Sequence, residues 1–135
     1  MGPSSGSKYA AHGVGSRSAA VHKAVRLLRA SDPVRGSEAD KRRPAVIISN
    51  DGANATAARL GRGVLNVVPV TSNISRLYPF QVLLPAAVTG LKRDSKARAE
   101  QVRSVSIDRL GARIGELDAV LLADLDEALG LHLAL

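Results

Sequence analysis

The sequence has no cysteine and no tryptophan, and its only aromatic side chains are Tyr9, Tyr78 and Phe80. The first absence excludes a disulfide framework, a thiolate nucleophile and a cysteine-based zinc site. With nothing to argue for an oxidising compartment, the cytoplasm is the expected location. The scarcity of aromatics means that the core is built from Leu, Val, Ile and Ala, and it leaves Tyr78 and Phe80 as candidates for stacking or interface anchoring. Also lacking is any apolar run near the ~18 residues of a membrane span, and the N-terminus carries no apolar block of the signal-peptide kind. No cluster of metal-ligating side chains is visible, so neither a metal nor another cofactor is expected.

What is present suffices for one domain. A chain of 135 residues, 45% hydrophobic, can bury roughly two thirds of the surface its unfolded form exposes, so it needs no covalent staples. The formal charge of +7 is unevenly spread. Residues 1–31 carry Lys8, Arg17, Lys23, Arg26 and Arg29 and no acid; residues 32–103 carry 12 basic and 6 acidic side chains; residues 104–135 carry 2 basic and 6 acidic ones. A basic part of this kind suits a phosphate-rich substrate through counterion release, although an ordinary solvated surface has the same composition.

Met1 to Arg17 is rich in Gly, Ser and Ala with almost nothing bulky to bury, the composition of a disordered segment. Ala20 to Ala30 reads as a short helix, since Val21, Val25 and Leu28 recur at helical spacing, or as a poor strand. Ser31-Asp32-Pro33 is a turn, and Arg35 to Arg43 a charged loop. Ala45 to Ser49 reads as a buried strand, Ala53 to Leu60 as one or two helical turns, and Gly63 to Thr71 as a second strand in which Pro69 marks a bulge or edge position. Further strands are expected at Tyr78–Leu84, Lys96–Ser104 and Arg113–Leu117, with Ala97 and Ala99 pointing to one side. Asp118 is placed to N-cap a helix bearing Leu121, Leu125, Ala128, Leu129 and His132 along one face. The pattern predicts a mainly β fold, a small barrel or curled sheet, with a C-terminal helix.

Several blocks are more specific. Arg35-Gly36-Ser37-Glu38 is followed by Arg42-Arg43-Pro44 opening a strand that ends Ser49-Asn50-Asp51, and then by Val68-Pro69-Val70-Thr71-Ser72-Asn73. After these come Tyr78-Pro79-Phe80, Glu100-Gln101-Val102-Arg103-Ser104, Asp108-Arg109-Leu110 and Leu125-Asp126-Glu127-Ala128-Leu129. In order and spacing residues 32–135 resemble the MazF/PemK toxins of bacterial type II toxin-antitoxin pairs. The resemblance implies an SH3-like barrel of the MazF/CcdB/PemK type that forms a homodimer, with single-stranded RNA in a groove across the interface and a cognate antitoxin as protein partner. It also implies a metal-independent, sequence-selective endoribonuclease whose catalytic pair falls on Arg43 and Thr71. Ser37, Glu38, Ser72, Asn73, Glu100 and Gln101 match positions implied to contact RNA.

The chemistry of these residue types is compatible with that role. Attack of a ribose 2′-hydroxyl on the adjacent phosphate builds negative charge on phosphoryl oxygens, which a guanidinium can hold in a fork. Arg43 suits this task and is poorly suited to removing a proton, so the general base is left unassigned. Thr71 can orient the phosphate or relay a proton, and DNA, lacking the hydroxyl, would not be cut. Read without the resemblance, Arg43 is equally a surface charge beside a strand and Thr71 a turn hydroxyl. Glu100 and Gln101 are then strand-surface hydrogen-bonding groups, Ser37 and Glu38 loop caps, and His132 a helix-packing or dimer-surface residue.

The match weakens before Asp32. Members of this family begin with a strand of the form Arg-Gly-Asp/Glu followed by alternating apolar and aromatic residues, whereas here His22 to Ser31 precedes Asp32-Pro33. The first strand is therefore atypical, and the chain divides into an N-terminal segment 1–31, disordered or poorly structured, and a toxin-like domain 32–135. Either Val25 to Arg29 pairs as a substandard strand, or the boundary near Ser31 reflects a shifted reading frame or an altered gene start. Two other functions follow from these departures and from the fold: a catalytically impaired paralogue that still binds antitoxin or RNA, and a CcdB-like gyrase-binding toxin. The second lacks support from the chain's end, Leu133-Ala134-Leu135, which has no tryptophan.

Overall fold

The computed structural model describes residues 23–29, 42–49 and 51–134. The Met1–Arg17 stretch, the turn at Ser31–Pro33 and most of the Arg35–Arg43 loop, with Ser37 and Glu38, lie outside the described residues. The described residues form seven strands and three helices: β1 (Lys23–Arg29), β2 (Arg42–Ile47), α1 (Asp51–Leu60), β3 (Val64–Thr71), β4 (Gln81–Leu84), α2 (Ala86–Thr89), β5 (Ser95–Arg98), β6 (Arg103–Ser106), β7 (Leu110–Leu117) and α3 (Ala119–Leu133). Short 3₁₀ turns occupy Ala99–Gln101 and Ile107–Arg109. The strands form one curled antiparallel sheet in the order β4-β5-β3-β2-β1-β7, with β6 also on β3. This is the expected mainly β barrel-like fold with a C-terminal helix.

Lys23–Arg29 is a strand and not a helix, and the reason the sequence reads ambiguously is visible in its pairing. β1 meets β2 in unbroken register from Val25↔Val46 to Arg29↔Arg42, but against β7 the register shifts between Val25 and Arg26 and again between Arg26 and Leu28. Bulges of this kind break the alternation of a strand. The buried residues Val25 (0% exposed) and Leu28 (4%) are consequently three apart, a spacing that imitates a helix.

β3 is the central strand. On one edge it pairs β2, and on the other its first half pairs β6 while its end pairs β5. Val70 lies opposite Ala97 and Val67 opposite Arg103, so the partner spends five residues where β3 spends two. The excess is taken up by the Ala99–Gln101 turn. Pro69 falls in that interval, which is neither an outer edge of the sheet nor a bulge of β3 itself, but a change of partner where a residue without an N–H is tolerated. The single strand expected at Lys96–Ser104 is thus broken in two, although Ala97 and Ala99 are both fully buried. Tyr78-Pro79-Phe80 similarly remains in the connection, and β4 begins only at Gln81.

Alternation along the strands divides the core in two. Val46, Val68 and Val70 face one cluster with Val25, Leu84 and Leu117, while Ala45, Ile47, Leu65 and Val67 face another with Leu28 and Val105. Helix α3 covers the first cluster with Leu121, Leu125 and Ala128. It packs on both β4 and β7, the two ends of the strand order, and so bridges the open side of the curl. Asp118 caps it as expected, its side chain accepting from the Leu121 N–H at 3.0 Å. His132 is exposed on its last turn. Gly90 ends α2 at φ 87° and lies against β7, where a Cβ on Gly115 would occupy the space of the Thr89 carbonyl. Among the described residues no helix is long and apolar enough to cross a membrane.

Candidate active site

Arg43 lies near the start of β2 and Thr71 at the end of β3. The β2–β3 register runs Ile47↔Val67, Val46↔Val68, Ala45↔Pro69. Continued by two residues, the same register sets Arg43 opposite Thr71 on one face of the sheet, since side chains two apart on a strand point the same way. A pair 28 positions apart in sequence is brought together by strand register alone.

The two residues also form the wall between two clefts. One, of about 270 Å³, is lined by Arg43, Thr71 and four further arginines, Arg29, Arg98, Arg103 and Arg109. The other, of about 550 Å³, has Leu27, Leu91 and Ile114 among its apolar lining, with Arg42, Lys92 and Arg93 beside them. Arg43, Pro44, Val70 and Thr71 line both. The wall therefore separates a strongly cationic recess from a larger, more apolar one.

The half-buried Thr71 is held by its own turn. Its Oγ1 accepts from the Asn73 N–H at 3.2 Å, and the Asn73 carboxamide oxygen accepts from the Ser75 N–H at 3.2 Å and the Ser75 hydroxyl at 2.8 Å. The turn-hydroxyl and catalytic readings of Thr71 are compatible: accepting from Asn73 uses a lone pair and leaves the hydroxyl proton to donate elsewhere. Lys96, paired with Thr71 across β5, is 7% exposed. Its ammonium donates to the Arg76 carbonyl at 2.6 Å and ties down the loop that follows Thr71.

The other expected contacts separate. Ser72 lines the larger cleft, while Asn73 is engaged in the turn. Glu100 and Gln101 sit on the 3₁₀ excursion opposite Pro69 and line neither cleft. The Glu100 carboxylate accepts from Gln81 Nε2 at 2.9 Å through one oxygen, while its other oxygen is buried without a hydrogen-bond partner among the described residues. Gln81 in turn accepts from the Tyr78 N–H at 3.1 Å. Tyr78 and Phe80 stack on each other, ring centres 5.5 Å apart and 6° from parallel.

The sequence by itself points to no site role for Arg29, Arg98, Arg103 or Arg109. They come from β1, β5, β6 and the Ile107–Arg109 turn, so no local motif unites them. For Arg29, Arg98 and Arg103 the excess of basic residues before position 104 is one signal, and Arg103 and Arg109 also stand within the blocks Glu100-Gln101-Val102-Arg103-Ser104 and Asp108-Arg109-Leu110, neither being given a role there. Burial, and after it the Arg103 charge, lowers the Arg109 pKa from its ordinary value, while Asp108 acts in the opposite direction. Among the described residues no group of three or more His, Cys, Asp or Glu is arranged to hold a metal ion.

A small curled β sheet bridged by a C-terminal helix, with an arginine-lined cleft, is the class of fold and site that the geometry defines. Residues 24–133 match the family of PemK-like, MazF-like toxins of type II toxin-antitoxin systems, and the chain belongs to that family. It is 65% identical over 104 residues to the endoribonuclease MazF9 of Mycobacterium tuberculosis, an alignment covering 77% of this chain and 88% of that protein. Among solved structures it resembles MazF from Deinococcus radiodurans, with a TM-score of 0.63 and 30% identity over 83% of this chain and 94% of the other. A mycobacterial endoribonuclease in complex with its cognate antitoxin shares the fold, with a TM-score of 0.61 at 22% identity over 82% of this chain and 92% of that one.

Proposed function

We propose that this MazF-type toxin endoribonuclease cuts single-stranded RNA at Arg43 and Thr71 by attack of a ribose 2′-hydroxyl on the adjacent phosphate, without a metal ion. The observation that carries the reading is that Arg43 and Thr71 line the same two clefts, one of them arginine-rich, as continuation of the β2–β3 register beyond Ala45↔Pro69 would have it. In the transition state the Arg43 guanidinium holds two phosphoryl oxygens in its fork, where charge develops. The Thr71 hydroxyl, oriented by the Asn73 N–H, hydrogen-bonds to a phosphoryl oxygen or relays the 2′-hydroxyl proton to the leaving 5′ oxygen as the P–O bond breaks. The products are a 2′,3′-cyclic phosphate and a 5′-hydroxyl. A DNA strand has no attacking group and is left intact.

Sequence selection is assigned to Ser37, Glu38, Ser72, Asn73, Glu100 and Gln101, whose hydroxyls, amides and carboxylates are suited to reading base edges. The protein works in the cytoplasm as a homodimer, and a cognate antitoxin holds it inactive. The excess positive charge of residues 32–103 suits an acidic antitoxin tail. The functional unit takes in β1, because Val25 and Leu28 complete the two core clusters on which β2 rests.

The test is incubation of the purified protein with a long single-stranded RNA in EDTA, beside an Arg43→Ala variant, with mapping of the 5′ ends. Site-specific cuts are expected for the natural protein, and a fall of about 10²–10³ in kcat for the variant, the scale set by loss of one preorganised oxyanion donor. A single 2′-deoxy substitution at the mapped nucleotide should abolish that cut. Cutting that requires added metal, or that survives in Arg43→Ala, would refute the assignment.

A further inference from the structure

We propose that Arg29, Arg98, Arg103 and Arg109 form a second phosphate site, which holds an internucleotide phosphate next to the one at Arg43 and Thr71. The proposal rests on the reading of that pair as the cutting site and extends it to the strand's path. All four arginines line the same cleft of about 270 Å³ as Arg43 and Thr71, and among the described residues no acid lines it. Gathering like charges in a recess is unfavourable in the absence of a counter-charge.

Among the described residues, the contacts that hold Arg29 and Arg109 are to backbone carbonyls and not to carboxylates. Arg29 donates to the Asp108 backbone carbonyl, and Arg109 Nε donates to the Arg29 carbonyl at 2.9 Å. Carbonyl acceptors orient a guanidinium without neutralising it, so the clasp between β1 and the Ile107–Arg109 turn fixes two cations and leaves their charge available. The Nε of Arg98 is buried with no hydrogen-bond partner among the described residues. Burial first, and then the Arg103 charge, lower the Arg109 pKa, while Asp108 acts against them.

A phosphodiester satisfies this arrangement well. It offers planar donors two non-bridging oxygens that share one negative charge, and in a polynucleotide it is followed by another one nucleotide along. The site shares Arg43 with the reacting phosphate, so a strand crossing the Arg43–Thr71 wall delivers consecutive phosphates to the two positions. An acidic peptide could present carboxylates to the same guanidiniums, but continuity with the cutting pair favours the RNA backbone.

The probe is a 2′-O-methyl oligonucleotide spanning a mapped cut, which cannot react, with one internucleotide linkage at a time replaced by a neutral methylphosphonate. In the natural protein, neutralising the linkage beside the scissile one should weaken binding about tenfold, as for one charge-assisted hydrogen bond. In an Arg98→Gln/Arg109→Gln variant the unmodified oligonucleotide should bind about tenfold more weakly, and the same methylphosphonate should cost nothing further. The slope of log affinity against log salt should become shallower by about 0.7 for each phosphate the variant no longer neutralises. Arg62→Gln, a charge removed from an exposed loop away from the cleft, should show no such coupling.

Effects that multiply at every linkage would overturn the proposal, as would displacement by an Asp/Glu-rich peptide in a protein that shows no linkage coupling. Should the double variant fail to fold, the natural protein decides the matter: Arg98 and Arg109 Nε–H NMR signals shift with inorganic phosphate if the site exists and stay put if it does not. That arm needs no cleavage, so an intact phosphate site in a protein that does not cut RNA would refute the cutting pair alone.

Discussion

The β2–β3 seam and the β1–β7 seam are both antiparallel junctions in one sheet, yet they are held in different ways. Across β2–β3 the register is regular and the buried residues are β-branched or small, with Val46 against Val68 and Ala45 against Pro69. Across β1–β7 the register shifts twice, and side chains stand in for parts of the ladder. Arg26 donates through Nε and a terminal nitrogen to the Gly111 carbonyl at 2.8 and 2.6 Å. The first seam presents a strand pattern readable in either sequence alone. The second is made by its neighbours, and its residues look like a strand only once β2 and β7 are in place.

The largest break should come from Gly115→Ala, on the β7 side of the irregular seam. The added Cβ would meet the Thr89 carbonyl and Gly90 backbone, neither of which is a movable side chain, and overpacking of this kind should cost about 3 kcal/mol or more. Thermal or urea unfolding would measure it; a variant as stable as the natural protein would show that α2 does not press on β7. Next comes a paired comparison of Val25→Ala and Val68→Ala. Both side chains are fully buried in the same core cluster, and each truncation should cost roughly 2 kcal/mol. A near-zero effect at Val25 alone would mean that β1 is dispensable to the fold, and equal destabilisation would place it within the cooperative unit. The smallest expected effect is that of Arg26→Met, which keeps much of the stem's packing while removing the donors to Gly111, at about 1 to 2 kcal/mol. Hydrogen exchange should then report faster opening along β7 than along β3.

The same contrast explains what is legible in the sequence. The Ala45–Ser49 and Gly63–Thr71 strands announce themselves through runs of Val and Ile bounded by turn residues, and the Asp118 cap through its position before an apolar helical stripe. These are local properties, set by backbone sterics and side-chain burial within a few residues. Pro69 stands out as a special position, but its role at a change of strand partner depends on the 98–102 excursion, which belongs to another segment. β1 is ambiguous because its bulges arise only on pairing with β7.

In the site the division falls in the same place. Arg43 and Thr71 are legible through the motifs around them, Arg42-Arg43-Pro44 and Val68-Pro69-Val70-Thr71-Ser72-Asn73. The four additional arginines are not legible as a group, since Arg29 and Arg98 are ordinary charges within their own stretches and Arg103 and Arg109 stand in two separate motif blocks. Glu100 and Gln101 belong with Arg43 and Thr71 by motif, yet the excursion that carries them places them away from both clefts and ties Glu100 to Gln81.

By itself, then, the sequence determined most of the strands, the C-terminal helix and the apolar core composition, and it singled out Arg43 and Thr71 by motif, because these depend on residue chemistry and short-range periodicity. The tertiary structure alone decided that β1 is a strand, that Arg43 stands opposite Thr71 and that five arginines share one recess. Those outcomes depend on strand register and on backbone contacts between segments far apart in the chain, and neither is encoded in any one of the segments that meet.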